Sequence, residues 1–191
     1  MVSTLSFLAL AAVAGTQHVF SLDYTAQALV QGARHPLLES PMRGLTRLGS
    51  GWVLAALTAL GWLGLRRLGH PLARFVPVTA AGAILVDVLT KWLVSRPRPR
   101  GGAYGFPSGH VFGAAVFFGA VVCVLWTSGV PRVPRWLGTV LAGLLVLGVA
   151  WSRLYLNVHW LSDVVGGLAG GLAYLLVALV AIARRLPSPP T

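Results

Sequence analysis

The residues best suited to chemistry lie late in the chain, where Ser152 and Arg153 are followed by His159 and then by Asp163. A spacing of four places two side chains on one face of an α-helix, so we expect His159 and Asp163 to lie together at a helix start. A carboxylate there accepts the imidazole N–H and leaves the other ring nitrogen free as a nucleophile. A purely structural His–Asp pair is the alternative interpretation.

Two earlier clusters carry groups that bind anions. Lys91 and Arg98 lie in a basic stretch at the end of an apolar segment, where a basic run by itself is typical of an anchor for lipid headgroups. Ser108, Gly109 and His110 open the next apolar segment, which predicts a helix with Ser108 as its N-cap. The free amides of a helix start favour a bound anion, although such a stretch is also an ordinary junction between loop and helix.

The composition indicates a membrane protein. Of the 191 residues, 56% are hydrophobic and 10% are charged, whereas a soluble domain has about 25% charged residues. A net charge of +11 would suit nucleic acid if the basic residues shared a wet face, but here they separate apolar runs, so we expect no nucleic-acid partner. The single cysteine, Cys123, permits neither an intramolecular disulfide nor a thiolate metal cluster.

Six apolar segments approach the length of roughly 20 residues that a membrane-spanning helix needs. They cover residues 5–22, 48–65, 72–94, 110–126, 136–151 and 160–183. The sequence therefore predicts an all-α fold: a polytopic membrane protein with six transmembrane helices, forming a single domain over residues 1–191. The seven tryptophans fall near the ends of these segments, as expected for side chains at the headgroup level.

The first segment has a second interpretation, because Ala12, Val13 and Ala14 resemble a signal-peptidase site. No basic residue precedes them and the hydrophobic run continues, so we expect a retained helix. Residues 21–50 mix polar and apolar side chains, and Pro36 and Pro41 should break a long helix. One or two short interfacial helices fit this stretch, with a disordered loop as the alternative, and residues 186–191 are expected to form a frayed tail.

An alternating bundle brings the three clusters together, because they lie at the end of the third span, the start of the fourth, the end of the fifth and the start of the sixth. Such a concentration of charge is costly near lipid and indicates function, and cations beside two histidines suit an oxyanion. The loops on the opposite side carry arginines and no acid. The positive-inside rule therefore predicts cytoplasmic termini and an extracytoplasmic site.

The three clusters together resemble, without gaps or mismatches, the signature motifs of the type 2 phosphatidic acid phosphatases. This superfamily also includes the vanadium-dependent haloperoxidases and glucose-6-phosphatase. The motifs are quoted from this chain as follows: Lys91 through Arg98 and Pro99, Pro107 through His110, and Ser152 and Arg153 through His159 to Asp163. The motifs cover residues 91–163, and the six-span layout extends the resemblance over nearly the whole chain.

The resemblance implies a role for each motif residue. His159 would attack phosphorus, Asp163 would orient His159, and His110 would protonate the departing lipid alkoxide. The phosphate would be held by Lys91, Arg98, Ser108, Arg153 and the backbone amide of Gly109.

Asp87 lies four residues before Lys91 within an apolar helix. We expect it to support the site by pairing with the lysine, since an unpaired acid in a membrane helix costs about 2.5–3.5 kcal/mol. A polar contact with another helix is the alternative. The four acidic residues of the chain do not cluster in sequence, so we expect neither a metal nor another cofactor.

These features predict an integral membrane phosphatase, in a bacterial inner membrane, that hydrolyses a lipid phosphate monoester or prenyl diphosphate through a phosphohistidine. The expected partners are the membrane lipid phosphate and the surrounding bilayer lipids, and the motifs specify neither the lipid nor the oligomeric state. A lipid phosphotransferase with the same His–His–Asp group is the nearest alternative. An anion-binding transporter is a more distant one, which survival of transport after loss of His159 would favour.

Overall fold

The helical prediction is confirmed by the computed structural model, which describes residues 2–185 and contains no strand among them. The chain forms eight α-helices within this range, together with a short 3-10 helix at Pro71–Phe75. Their bounds are α1 Val2–Gly15, α2 Ser21–Gly32, α3 Pro36–Leu48, α4 Gly51–Arg67, α5 Val76–Val94, α6 Gly109–Thr127, α7 Arg132–Tyr155 and α8 Leu161–Ala183. The tail predicted at residues 186–191 lies outside the described residues.

The prediction of six spans is not confirmed. Four helices of the described chain are long and apolar enough to cross a membrane: Pro71–Val94, α6, α7 and α8. A fifth span is obtained only if α3 and α4, which meet at a bend of 51°, are counted together as one span. The first predicted segment ends early, because α1 stops at Gly15 after 14 residues. At 1.5 Å per residue it is about 21 Å long, which is short of a bilayer core of about 30 Å.

The stretch between the first two predicted spans contains two short helices, α2 and α3, as expected. One detail of the prediction is wrong: Pro36 opens α3 at its first turn, but Pro41 lies inside the helix and does not end it. The first turn of a helix tolerates proline because its N–H groups have no partner within the helix. The break near Pro36 is therefore a helix start, and the α3–α4 break falls at Gly49 and Ser50.

The packed core lies between α6, α7 and α8, where Val111, Ala115, Val146, Val149 and Val164 are buried. Small residues on α8 let the helices approach closely. A Cβ added at Gly171 would lie 2.7 Å from the Phe112 carbonyl oxygen. Large apolar side chains point outward on the same bundle, as a lipid-facing surface requires. This core fixes the starts of α6 and α8 against each other, and both starts carry predicted site residues.

Candidate active site

The four helix ends that carry the motifs meet at one end of the bundle, as the sequence predicts. The Ser108 amide before α6 donates a hydrogen bond of 2.9 Å to the Asp163 carbonyl oxygen in α8. The indole N–H of Trp160, before α8, donates to the Pro97 carbonyl oxygen after α5 at 3.0 Å. These two hydrogen bonds, one between backbone groups and one from a side chain to the backbone, hold the three clusters in register.

His159 and Asp163 lie together, as predicted, but they do not share a face of one helix. His159 precedes α8, whose N-cap is Trp160 and whose first helical residue is Leu161. Asp163 turns back over this helix start, and its Oδ2 atom accepts a bond of 3.0 Å from the Trp160 amide. The same Oδ2 lies 3.5 Å from His159 Nδ1, which is long for a hydrogen bond. The carboxylate is therefore fixed by the cap and faces Nδ1, which leaves Nε2 as the other ring nitrogen.

His159 is deeply buried, with 4% of its surface exposed. Burial lowers the pKa of His159 below its ordinary value, Asp163 opposes that shift, and the charges of Arg153 and Arg98 add to the lowering. Burial disfavours the charged imidazolium because it has lost its hydration. The ring is therefore neutral at pH 7, which is the form with a nucleophilic lone pair.

Two arginines of the predicted phosphate site come from separate motifs and both retain unused donors. Arg153 lies in the last turn of α7 and is 8% exposed, and its Nη1 donates to Thr46 Oγ1 of α3 at 2.6 Å. Arg98 lies in the loop after α5 and donates through Nη2 to the Tyr104 carbonyl oxygen at 3.3 Å. The Nε atoms of both side chains are buried and have no hydrogen-bond partner in the described part of the chain. Two guanidinium groups thus present free donors beside His159.

Lys91 forms an ion pair with Asp87 one turn earlier on α5, as expected for a tethered lysine. Both side chains are about one-fifth exposed. They pack against the first residue of α6, because a Cβ added at Gly109 would lie 2.6 Å from Lys91 Nζ. Glycine at this position thus lets the lysine reach the amides of the α6 start.

Ser108 and His110 stand on either side of that helix start. Ser108 occupies the N-cap position, as predicted, but its side chain makes no capping bond, and its buried Oγ has no hydrogen-bond partner among the described residues. A buried hydroxyl without a partner is uncommon. His110 is half-buried, within electrostatic range of Lys91, Arg98 and Arg153 and of the His159 ring. Both side chains are therefore available to a bound anion.

Three residues of a buried network that includes Asp163 were not predicted from the sequence. Arg96 is completely buried and donates to Asp163 Oδ1 at 2.8 Å and to Asp23 Oδ2 at 3.0 Å. Ser162 donates to the same Asp23 carboxylate through its hydroxyl at 2.8 Å. A basic residue two positions before Arg98 was the only signal for Arg96, and nothing in the pattern around Asp23 marked it.

Comparisons with known proteins identify the family of this chain and several of its relatives. The family model described as PAP2 superfamily matches residues 71–187. Phosphatidylglycerophosphatase B of Bacillus subtilis is 31% identical over 179 residues, which cover 88% of this chain and 87% of the relative. Lipid A 4'-phosphatase of Porphyromonas gingivalis is 24% identical over 176 residues, covering 82% of this chain and 71% of the relative. Both relatives are named as phosphatases and are therefore hydrolases.

A solved structure is also similar. The crystal structure of a transmembrane PAP2-type phosphatidylglycerolphosphate phosphatase from Bacillus subtilis has a TM-score of 0.81 and 25% identity, and the alignment covers 95% of this chain and 94% of that one. Its extent includes α1 and α2 as well as the motif helices. The family match, the curated relatives and the apolar helices agree: the chain belongs to the PAP2 superfamily and is an integral membrane protein of this lipid phosphatase family.

Proposed function

We propose that this protein hydrolyses a lipid phosphate through a phosphohistidine formed on His159. The observation that carries the proposal is that four polar atoms of the motif residues are buried with no hydrogen-bond partner among residues 2–185: Arg98 Nε, Arg153 Nε, Ser108 Oγ and His159 Nδ1. Three of these atoms are donors that a phosphate oxygen would satisfy. The fourth faces a carboxylate at 3.5 Å, so that Nε2 of the same ring is free to attack.

In the first step, Nε2 of neutral His159 attacks phosphorus and the bond from phosphorus to the lipid oxygen breaks. Asp163 Oδ2 faces the Nδ1 atom of the imidazole at 3.5 Å and stabilises the positive charge that the ring acquires. His110 gives its proton to the departing alkoxide, which is a poor leaving group at neutral pH without a general acid. The products are a phosphohistidine and a neutral lipid alcohol.

In the second step, water attacks the phosphohistidine while His110, now neutral, accepts the proton of the water. The bond from phosphorus to Nε2 breaks, and inorganic phosphate leaves. Lys91, Arg98 and Arg153 stay fixed in both steps and balance the charge on the phosphoryl oxygens. Phosphoryl transfer depends chiefly on positioning and on charge stabilisation of this kind.

The substrate that we propose first is phosphatidylglycerophosphate. The support is that the Bacillus subtilis relative is named for that activity and aligns with 88% of this chain. A lipid substrate also suits the architecture. The apolar helices α5 and α6 end and begin at the site, so the proposed phosphate-binding residues lie at one end of the apolar bundle. Phosphatidic acid, a prenyl diphosphate and lipid A are the competing substrates.

The test is phosphate release by the purified full-length protein from each of these four lipids in matched detergent. We expect phosphatidylglycerophosphate to give the highest kcat/KM and His159→Ala to release no phosphate from any of them. A higher kcat/KM on another of the four lipids would make that lipid the substrate instead of phosphatidylglycerophosphate. Phosphate release by His159→Ala at the wild-type rate would overturn the proposed mechanism.

We further propose that the site faces the extracytoplasmic side of a bacterial inner membrane. The support is the charge at the other end of the bundle, where α4 ends with Arg66 and Arg67 and α7 begins with Arg132. Basic residues in short loops favour the cytoplasm. In a Cys123→Ala background, Ala103→Cys should react with an impermeant thiol reagent added to whole cells, and Leu68→Cys should not. The reverse pattern would place the site in the cytoplasm.

A further inference from the structure

One face of α2 holds the segment that carries His159. Asp23, Gln27 and Gln31 are spaced by four residues and therefore share a helix face. Asp23 Oδ1 accepts a bond of 2.8 Å from the Ser162 amide, Gln27 Nε2 donates to Asn157 Oδ1 at 2.8 Å, and Gln31 Nε2 donates to the Leu154 carbonyl oxygen at 3.0 Å. These three contacts follow the chain from the end of α7 to the start of α8, with His159 between them.

Arg96 joins this face of α2 to the proposed catalytic pair. Its guanidinium is fully buried and bonded on two sides. Nη1 donates to Ser162 Oγ at 2.7 Å and to Asp163 Oδ1 at 2.8 Å. Nη2 donates to the His18 carbonyl oxygen at 2.7 Å and to Asp23 Oδ2 at 3.0 Å. A planar guanidinium with these fixed partners binds both carboxylates at once through separate nitrogens, which the single ammonium of a lysine would not do with the same geometry.

The consequence for Asp163 is that each of its oxygens has a separate task. Oδ1 is held by Arg96, and Oδ2 is held by the Trp160 amide and faces His159 Nδ1. The backbone also approaches this carboxylate closely, because a Cβ added at Gly105 would lie 3.3 Å from Oδ2. Rotation of the carboxylate away from His159 would therefore break the bond with Arg96.

Asp23 is the partner that keeps Arg96 in this position. It is 2% exposed, and its two oxygens accept four hydrogen bonds, from Arg96, from the Ser162 hydroxyl, and from the Ser162 and Phe20 amides. Removing one partner of a buried ion pair leaves the other charge uncompensated. Without Asp23, the guanidinium would retain one carboxylate, Asp163, and would draw it away from the imidazole.

We propose that Asp23 and Arg96 are positioning residues for the reaction: Asp23 on α2 anchors Arg96, and Arg96 fixes Asp163 so that it orients His159. The inference rests on the proposed function of His159 and Asp163. Asp23 lies outside residues 71–187, the part of the chain that the PAP2 family model matches. The proposal therefore gives the N-terminal helices a part in the chemistry of the motif helices.

The experiment compares two acid-to-amide substitutions in the full-length protein, Asp23→Asn and Glu39→Gln. Glu39 on α3 is the control, because it pairs outside the site with Arg34, before α3, at 2.6 Å and with Arg43 of α3 at 3.1 Å. We expect Asp23→Asn to lower kcat by about 10²-fold, the typical cost of an ångström-scale misplacement, with little change in KM. Glu39→Gln should keep the wild-type kcat. Equal kcat for Asp23→Asn and the wild type would overturn the proposal.

A double substitution separates positioning from a general effect on folding. If Asp23 acts through Asp163, Asp23→Asn should change kcat by less than about threefold in an Asp163→Asn background, because residues that act as a unit are not additive. A second full loss of about 10²-fold there would show a separate structural role and overturn the proposal.

Arg96→Lys provides a second variant with the charge retained, in case Asp23→Asn unfolds. It should lower kcat with KM unchanged, since one ammonium cannot hold both carboxylates. Wild-type kcat in a folded Arg96→Lys protein would contradict the inference. His159→Ala measured in parallel separates the two claims: activity in that variant overturns the proposed function, whereas an inactive His159→Ala beside a fully active Asp23→Asn overturns the positioning role alone.

Discussion

The two ends of the helical bundle contain the same residue types in opposite environments. At the motif end, Arg96, Arg153 and His159 are buried and lie among carboxylates or unused donors. At the opposite end, Arg66 covers the Trp62 ring at 5.1 Å and His70 shares a hydrogen bond of 3.1 Å with Ser128 on an exposed surface. An exposed arginine over an aromatic ring suits a membrane boundary, whereas a buried arginine needs a specific partner.

The difference shows that the type of a basic residue in this chain says little about its role, and that its burial and partners say much. All four acids of the chain lie away from the opposite end: Asp23, Asp87 and Asp163 belong to the motif end and Glu39 to α3. Substitutions of matched residues at the two ends should therefore have very different effects.

The largest effect is expected from the two histidines. His159→Ala should reduce turnover by at least about 10⁴-fold, because it removes the attacking atom. His70→Ala removes the same side chain from the opposite end and should leave kcat and KM unchanged. The measurement is phosphate release by both purified variants. Their elution profiles and melting temperatures are compared with those of the wild type to check that they fold. A comparable loss of turnover in His159→Ala and His70→Ala would contradict the assignment of the active site to the motif end.

A smaller difference is expected between two arginines of α7. Arg153→Ala should lower kcat by about 10²–10³-fold, as loss of one donor to a developing charge typically does. Arg135 lies on the same helix, with its guanidinium 4.3 Å from the Trp126 ring centre, and Arg135→Ala should keep the wild-type kcat. If Arg135→Ala is the more damaging substitution, the phosphate site has been assigned to the wrong end.

The pH dependence sharpens the comparison further. Burial lowers the pKa of His159 below 6.5, so the neutral ring persists as the pH falls through 6.5 and is lost only below it. The acid limb of kcat/KM, which reports the free enzyme, should therefore lie below pH 6.5. Stability changes with the same sign: the contribution of a buried neutral histidine is complete above pH 6.5 and decreases as the pH falls.

The substrate phosphate also titrates in this range, so a second profile is needed as a control. Asp163 raises the pKa of His159, and Asp163→Asn should move the acid limb to still lower pH. An acid limb that does not move in this variant belongs to the substrate or to another group. His70→Ala should reproduce the wild-type profile.

Much of the site could be predicted from sequence because the motif residues are anchored to helix ends. Once the apolar segments are recognised, the alternating direction of successive spans brings together Arg98, Ser108, Arg153 and His159. The path of the chain between helices was less predictable. Asp163 reaches His159 as an N-terminal capping residue, and apolar character could not show that α1 ends at Gly15.

The role of Arg96 could not be predicted from the sequence because Arg96 and Arg98 are of the same type and lie two positions apart in one loop. Only the fold shows that Arg96 points into the protein toward Asp163 and that Arg98 keeps a free donor. Asp23 is 73 residues from Arg96 and 139 from Ser162, and it belongs to none of the motifs whose positions at helix ends predicted the other long-range contacts. The bend of 51° between α3 and α4 is likewise a feature of the fold that the hydropathy of the segments did not predict.

Trapping the phosphoenzyme tests the central claim most directly. His110→Ala should still allow the first step on an aryl phosphate, whose phenol leaves without a proton, but should slow the attack of water, for which His110 is the base. We expect a burst of phenol equal to the enzyme concentration, followed by slow turnover, with the phosphoryl group mapped to His159 by mass spectrometry. A variant that shows no burst and carries no phosphate on His159, or a phosphate mapped to another residue, would contradict the account.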